Sequence, residues 1–427
     1  MTDERDPAWF LSTWRALLQE LSQRTRRGQE REVYTMPSDL QTTAELARGY
    51  IEEHLFDPDG LMYSYIDVRT GQPFDPEYAR AGRNRPDAGP HTPWSIELRP
   101  DADPVAYWSY EDSVITAGLY MDGLVLESEA TGDAAPLDRA REVWRTYREV
   151  YYASQVHGEG AFLRPYGGRA GGFQGLSQWA EPLGTDQASP FLSAQYALLK
   201  HASEAEREEI ARLILGALGW YERQGFRYLY YKSLIHGWDA EPPYCTPHAG
   251  SYYFPACAFA YSQTGHEKWL QHIRSRLPLT TGSGKAFMET FIWGSDVLML
   301  KALLGSEFEA LFPRELQARG CAEALNSLSQ YDEAGLPAGV DPVQGRSRPY
   351  NVVQFLCGLA ALGHPGARER AEQALGLWRR VPEDFTFFAF EDREQLPLGR
   401  YMQLQACAVG TQLVAWYRNY WRLRCTE

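Results

Sequence analysis

The chain has 427 residues, a formal net charge of −14 at pH 7 and a pI near 5.2. A nucleic-acid partner is not expected, because phosphate binding needs a basic face and the Lys and Arg residues form no long cluster. No segment is apolar over the length of a membrane span, so no membrane association is expected.

The N-terminus and the cysteines bear on the compartment. The N-terminal stretch lacks the basic region, apolar run and small-residue cleavage site of a secretory signal. The six cysteines show no disulfide framework. Cys257, Cys357 and Cys407 lie in apolar stretches that we predict to be helical, where a free thiol packs as a small hydrophobe. The sequence therefore predicts a cytoplasmic protein.

Helical periodicity dominates the chain, and the alternation typical of strands is sparse. In EDSVITAGLYMDGLVLESEATGD, residues 111–133, Ile115, Leu119, Asp122 and Leu126 share one helical face. The helix is predicted to end at Gly132, and a second amphipathic helix begins with PLDRAREVW. This pair is a helical hairpin with a short turn.

Similar hairpins recur along the chain. Their turns are predicted at Ser203, Gly265, Gly305 and Gly363, with an early pair at residues 6–24 and 38–55 and a final helix from about Met402. The total is about a dozen helices. The turns are spaced too irregularly for a solenoid of fixed repeat length. We expect the turns to lie on one face of a helical ring.

The connections between hairpins carry the unusual composition. They hold most of the Gly, Pro and Trp residues and span residues 56–107, 158–185, 226–247, 331–348 and 381–400. If they share one face of a ring they form a cup, and function usually lies on such loops. The chain has 13 Trp, 26 Tyr and 18 Phe. Core filling is the commoner use of aromatic rings, but a surplus often lines sugar sites.

Two stretches carry a family resemblance: YEDSVITAGLYMDGLVLESEATGD and GTDQASPFLSAQYALL. Both are similar to sequences of the bacterial unsaturated glucuronyl hydrolases and rhamnogalacturonyl hydrolases, within the six-hairpin glycosidases. The resemblance implies an all-α fold, an (α/α)6 toroid that forms a single domain over residues 1–427. It also implies carbohydrate chemistry, without naming a substrate.

Asp186 is the first catalytic candidate. Ser189 and Pro190 predict a helix start, which leaves Asp186 and Gln187 just outside the helix, at the end of a loop rich in Gly, Arg and aromatic residues. In the hydrolases that the chain resembles, an Asp at a comparable position acts as general acid/base, and Asp186 matches it. The alternative is that Asp186 caps a helix that starts earlier.

Glu111 and Asp112, at the start of the second clear hairpin, are candidates for a second carboxylate. Two carboxyls about 5 Å apart indicate a nucleophile mechanism, and about 6.5–9.5 Å leaves room for water and inversion. The alternative is structural, because helix starts favour acidic residues. Asp122 differs from these two candidates, because it lies on the apolar face of its helix with Ile115 and Leu119. A buried carboxylate needs a partner, so we expect a structural bond to a neighbouring hairpin.

Further candidates could bind a sugar by stacking, by hydrogen bonds to hydroxyls or, for a uronate, by pairing with its carboxylate. They are Trp108, Trp179, Gln187, His236, Trp238, Asp239, His248, Arg346 and Tyr350. We expect the three Trp residues to line one pocket with Asp186. The alternatives are an ordered loop held by its own Pro and Trp residues, and ordinary surface arginines.

No metal or organic cofactor is expected. TTGSGKAF lacks the first Gly and the final Ser or Thr of a phosphate-binding loop, HExxH is absent, and Cys245 with His248 has no second ligand pair. The Gly-x-Ser-x-Gly elbow of a serine hydrolase is also absent. The sequence favours a glycoside hydrolase acting on imported oligosaccharides in carbohydrate metabolism. The alternatives are a sugar epimerase or lyase relying on His236, His248 and Tyr350, and a non-catalytic scaffold that holds a peptide or a sugar.

Overall fold

The computed structural model describes residues 40–68, 70–73, 110, 112–163, 165, 185–223, 225, 254–281, 298–315, 348–376, 378–385, 387–391 and 402–425. Within these ranges the fold is built mainly from helices. They are α1 (Leu40–His54), α2 (Ser113–Thr131), α3 (Ala135–Ala153), α4 (Thr185–Leu199), α5 (Glu204–Arg223), α6 (Phe254–Thr264), α7 (Glu267–Thr281), α8 (residues 298–304), α9 (Glu307–Leu311), α10 (Arg348–Ala361), α11 (Ala367–Leu375) and α12 (Thr411–Arg424).

The helices form pairs around a ring. The sequential pairs α2/α3, α4/α5, α6/α7 and α10/α11 are in contact, and α12 packs on α1 and joins α10 to α2. The turn at Gly305 joins α8 to α9. Arg274 of α7 lies 3.1 Å from Glu307 of α9, which connects two adjacent pairs. The part of the chain that the structure describes thus holds six helix pairs, and the expected (α/α)6 toroid is confirmed.

Burial separates an inner from an outer layer. In α2 the buried residues form a continuous run from Ser113 to Val125, and in α12 they continue from Leu413 to Leu423. By contrast, α3 and α5 are buried along one stripe and expose charged residues on the other side. A helix buried all round has neighbours on every side, so α2 and α12 belong to the inner layer.

The predicted hairpin turns are present. Gly132 ends α2 in the left-handed conformation with φ 75°, and its N–H donates to Ser128 O at 2.9 Å. At the second turn, Ser203 and Glu206 form a capping box: Ser203 N–H donates to the Glu206 carboxylate at 2.8 Å, and Glu206 N–H lies 3.4 Å from Ser203 Oγ. Turns at Gly265, Gly305 and Gly363 follow as predicted.

Helices α2 and α4 run in the same direction. Near their starts, Gly118 meets the backbone of Pro190. Near their ends, Glu129 Oε1 lies 3.0 Å from His201 Nε2. The turns after α2 and α4 therefore lie together on one face, as predicted.

Helix α12 runs parallel to α2 on its other side. Thr116 Oγ1 of α2 lies 2.8 Å from Thr411 Oγ1, the first residue of α12. Toward the other end, Cys425 Sγ lies 3.1 Å from Leu126 O. The starts of three inner helices, α2, α4 and α12, thus lie at one end of the ring.

The turn at Gly265 departs from the single-face prediction. Lys268 Nζ, just after this turn, lies 3.0 Å from Glu222 Oε1 near the C-terminal end of α5, far from the Ser203 turn. The short α6 explains the difference, because its 11 residues span about 16 Å while the 19 residues of α2 span about 28 Å. The turn at Gly265 is therefore not level with that at Ser203.

A small antiparallel sheet corrects the expectation of a helix from Met402. The strands are β1 (Tyr65–Asp67), β2 (Phe387–Glu391) and β3 (Met402–Gly410), in the order β1-β3-β2. Cys407 accordingly lies in a strand, whereas Cys257 and Cys357 are buried free thiols in helices, as predicted. Strand β3 runs directly into α12, so the sheet lies at the end of the ring where α12 starts. We call this the sheet end.

Asp122 has the structural partner expected for a carboxylate on an apolar stripe. Its Oδ2 lies 2.6 Å from Arg418 Nε and 3.0 Å from Arg422 Nη2, and all three side chains are buried. The two arginines come from α12, so this cluster joins two inner helices. None of the helices in the described ranges has the length and apolarity of a membrane span.

Candidate functional site

Asp112 occupies an unusual position at the start of α2. It is the N-cap residue, yet its carboxylate makes no capping bond to the helix. Instead, the Tyr65 hydroxyl donates to Asp112 Oδ2 at 2.7 Å. An Asp at this position ordinarily accepts a backbone N–H, which is worth about 1 kcal/mol. The carboxylate is therefore directed away from its local structural role.

The segment of residues 62–65, which we call the strap, holds Asp112 in place. Asp112 N–H donates to Ser64 Oγ at 3.0 Å. The carbonyl of Ser64 accepts two hydrogen bonds from Thr411, from N–H at 3.0 Å and from Oγ1 at 3.2 Å. The strap therefore connects the starts of α2 and α12 at the sheet end.

The strap is also attached to the outer layer. Ser113 Oγ donates to Met62 O at 2.7 Å, and Met62 N–H donates to the Tyr147 hydroxyl of α3 at 3.0 Å. Burial raises the pKa of Tyr147, so the phenol stays neutral and can act as both donor and acceptor. These bonds fix the strap against both helices of the α2/α3 hairpin.

A second carboxylate near the strap, Asp57, has a structural role. Its Oδ1 accepts the backbone N–H groups of Asp59 and Leu61, both at 2.8 Å, and its Oδ2 accepts the Tyr110 hydroxyl at 2.8 Å. Burial and the bond to Asp57 raise the pKa of Tyr110. Only 8% of Asp57 is exposed. This carboxylate holds a tight turn, unlike the half-buried Asp112.

Asp186 lies inside α4 and not outside it, which corrects the predicted helix start. The helix begins at Thr185, and Pro190 lies within it. Because proline has no N–H, it cannot donate to the carbonyl of Asp186, four residues earlier. Asp186 and Gln187 thus occupy a first turn that lacks one helical hydrogen bond. Asp186 is the second residue of α4, in the first turn of a helix that starts earlier than predicted.

The backbone brings two candidate carboxylate positions to the same end of the ring. Asp112 precedes Gly118 by less than two turns of α2, and Asp186 precedes Pro190 by about one turn of α4. Since Gly118 meets Pro190 and the helices are parallel, Asp112 and Asp186 start neighbouring helices at the sheet end.

Tyr350 lies in the first turn of α10. At the end of its partner α11, Leu375 O accepts the indole N–H of Trp416, in the first half of α12, at 3.0 Å. Because α10 and α11 form an antiparallel hairpin, the start of α10 is at the sheet end too. The backbone of Tyr350 is thus at the end where Asp112 lies.

The other candidate residues fall outside the described ranges, and a common pocket for the three Trp residues stays a prediction. These residues are Glu111, Trp108, Trp179, His236, Trp238, Asp239, His248 and Arg346. Within the described ranges, no three His, Cys, Asp or Glu side chains form a group that could hold a metal ion.

Sequence reasoning missed the strap. Ser64 and Tyr65 lie 48 and 47 residues before Asp112, and no local pattern pairs them with it. The available signal was the alternation of Tyr63, Ser64 and Tyr65, typical of a short strand with a polar face.

Comparisons with known proteins give a structural likeness. No protein-family model matches the chain, and no curated protein sequence matches it. Among solved structures, the chain is similar to an endoglucanase from the termite Nasutitermes takasagoensis, determined at pH 2.5, with a TM-score of 0.46 and 13% sequence identity. The match covers 74% of this chain and 85% of that chain.

Proposed function

We propose that the protein is a carbohydrate-active enzyme that hydrolyses glycosidic bonds in oligosaccharide fragments, with Asp112 and Asp186 as its two catalytic carboxyl groups. The observation that carries this proposal is the position of Asp112. It stands at a helix start without capping the helix, accepts a hydrogen bond from Tyr65, and lies at the same end of the ring as Asp186. Departures from local structural rules are expected at functional sites.

The two carboxyls would have different roles. Glycoside hydrolysis needs one carboxyl group that protonates the leaving oxygen and one that acts as base or nucleophile. Because Tyr65 donates to Asp112, this carboxylate acts as an acceptor, which suits a base or nucleophile. Asp186 would then be the general acid, in agreement with the role that the family resemblance implies for it.

The remaining candidates would bind the substrate. Trp108, Trp179 and Trp238 would supply stacking surfaces for sugar rings. The polar candidates would form hydrogen bonds with hydroxyl groups of the sugar. Arg346 and Tyr350 would bind the carboxylate of a uronate. The polar candidates are Gln187, His236, Asp239 and His248.

A screen of saturated and unsaturated oligosaccharides for new reducing ends tests the proposal. Wild type should release reducing ends from at least one of them, and Asp186→Asn should not. Asp138→Asn is the matched control, because Asp138 is exposed at the start of α3, on the face opposite the sheet end. This control should retain wild-type activity.

Three other outcomes of the screen would indicate a different function. Cleavage that leaves a new carbon–carbon double bond, seen as ultraviolet absorbance without water uptake, would indicate a lyase. Inversion of a sugar stereocentre without cleavage would indicate an epimerase. Binding of a peptide or sugar without turnover would favour the scaffold.

A further inference from the structure

We propose that Tyr65 and Ser64 are positioning residues that hold the Asp112 carboxylate in a fixed orientation at the sheet end. This inference deepens the proposed function and rests on it for its catalytic consequence. Ser64 binds the backbone of Asp112 and Tyr65 binds its side chain. Two adjacent residues thus restrain both the backbone and the side chain of Asp112.

The restraint is rigid because the strap itself cannot shift easily. The Ser64 carbonyl is bound twice by Thr411, and a Cβ on Gly410 would lie 1.8 Å from the same oxygen. Tyr65 is paired with Gly410 in the register of β1 and β3. Ser64 and Tyr65 are therefore fixed against the start of α12 on one side and hold Asp112 on the other.

The start of α2 is adapted to this arrangement. A carboxylate that capped α2 would point back at the backbone N–H groups of the first turn of that helix. Thr116 Oγ1 donates to the Asp112 carbonyl at 3.0 Å and lies 2.8 Å from Thr411 Oγ1, so side chains of two inner helices meet beside Asp112. Preorganised carboxylates need this kind of support, because a small misplacement of a reacting group lowers the rate strongly.

The effect of Tyr65 on the carboxylate can be measured without a substrate. A water-soluble carbodiimide modifies protonated carboxyl groups, and mass spectrometry reports the rate at Asp112. Tyr65→Phe keeps the ring and removes the donor, so Asp112 should react severalfold faster than in wild type. The matched control is Tyr152→Phe, because the Tyr152 hydroxyl also bonds a carboxylate, Glu209 at 3.1 Å, but on the outer layer. It should leave the rate at Asp112 unchanged.

A second variant and a melting curve distinguish a local effect on Asp112 from misfolding of the protein. Ser64→Ala removes the acceptor of the Asp112 N–H and should also raise the labelling rate, by less than Tyr65→Phe. An unchanged melting temperature in either variant shows that the fold is intact. An Asp112 labelling rate equal to wild type in both folded variants would overturn the inference.

Activity measurements on Tyr65→Phe distinguish failure of this inference from failure of the proposed function. On any oligosaccharide that wild type cleaves, Tyr65→Phe should lower kcat by about 10- to 100-fold, as expected for a lost hydrogen bond to a charged group, with KM unchanged. An unchanged kcat would refute the positioning role. If labelling rises as expected but no oligosaccharide is cleaved, the restraint on Asp112 stands and the hydrolase proposal fails.

Discussion

Gly118 of α2 and the backbone of Pro190 of α4 are in close contact between the two inner helices. A Cβ placed on Gly118 would lie 2.6 Å from the carbonyl carbon of Pro190, a distance that no real side chain tolerates. This neighbour is a backbone atom, so it cannot rotate away as a side chain could. This contact sets the distance between the helices that carry Asp112 and Asp186.

Gly118→Ala should therefore destabilise the protein by about 1–3 kcal/mol, the usual cost of overpacking a well-packed core. Urea unfolding gives the value. Gly49→Ala is the matched control, because Gly49 is an exposed helical glycine with nothing within 4 Å of its added Cβ. This control should gain about 0.5–1 kcal/mol from helix propensity. Equal effects in the two variants would mean that α2 and α4 are not in backbone contact.

Pro190→Ala should stabilise α4 and impair function. The new N–H can bond the Asp186 carbonyl, which should raise the free energy of unfolding by about 1 kcal/mol. If the first turn needs its present shape to place Asp186, turnover of a cleaved oligosaccharide should fall. Pro136→Ala is the control: Pro136 lies at the first turn of α3, where proline costs no hydrogen bond, and its replacement should bring no gain. A loss of stability in Pro190→Ala would contradict the reasoning.

Asp122→Asn should be among the most damaging substitutions in the chain. It removes the carboxylate between Arg418 and Arg422, and breaking a buried ion pair from one side costs about 3–5 kcal/mol. Asp138→Asn, which loses only an exposed contact to Arg141, should change stability by less than about 0.5 kcal/mol. Denaturant midpoints of the two variants give the comparison.

Asp122 also predicts a pH dependence of stability. Burial alone would raise the pKa of Asp122, but the charges of Arg418 and Arg422 and the bond from Arg418 outweigh it and hold the pKa below its usual value. A carboxyl with a lowered folded-state pKa stabilises the fold above its unfolded pKa of about 3.9 and loses this contribution as the pH falls further. Wild type should therefore lose stability below about pH 4 more steeply than Asp122→Asn. Parallel curves would show that Asp122 does not titrate with unfolding.

The sequence predicted the features that depend on local chemistry. Gly132 ends a helix because glycine adopts the left-handed conformation at no cost, and Asp122 needed a partner because it lies on an apolar face. The identity of that partner was not predictable, since Arg418 is 296 residues away. The same holds for Tyr65 and Asp112, which only the folded chain brings together.

Two errors had local causes. Ser189 and Pro190 are typical of a helix start, yet α4 begins at Thr185 and accommodates the proline. Apolar residues follow Met402 closely, and this composition favours the helix that the sequence predicts there. Its alternation from Met402 to Ala406 fits the observed strand, which is stabilised by pairing with residues of β1 and β2.

The most direct test compares binding and turnover in Asp186→Asn on an oligosaccharide that wild type cleaves. Asparagine keeps the shape of the side chain but cannot transfer a proton, so kcat should fall by at least about 100-fold. Calorimetric affinity for the same oligosaccharide and the melting temperature should stay close to wild type. Full turnover by Asp186→Asn would contradict the account, because it would remove Asp186 from the reaction.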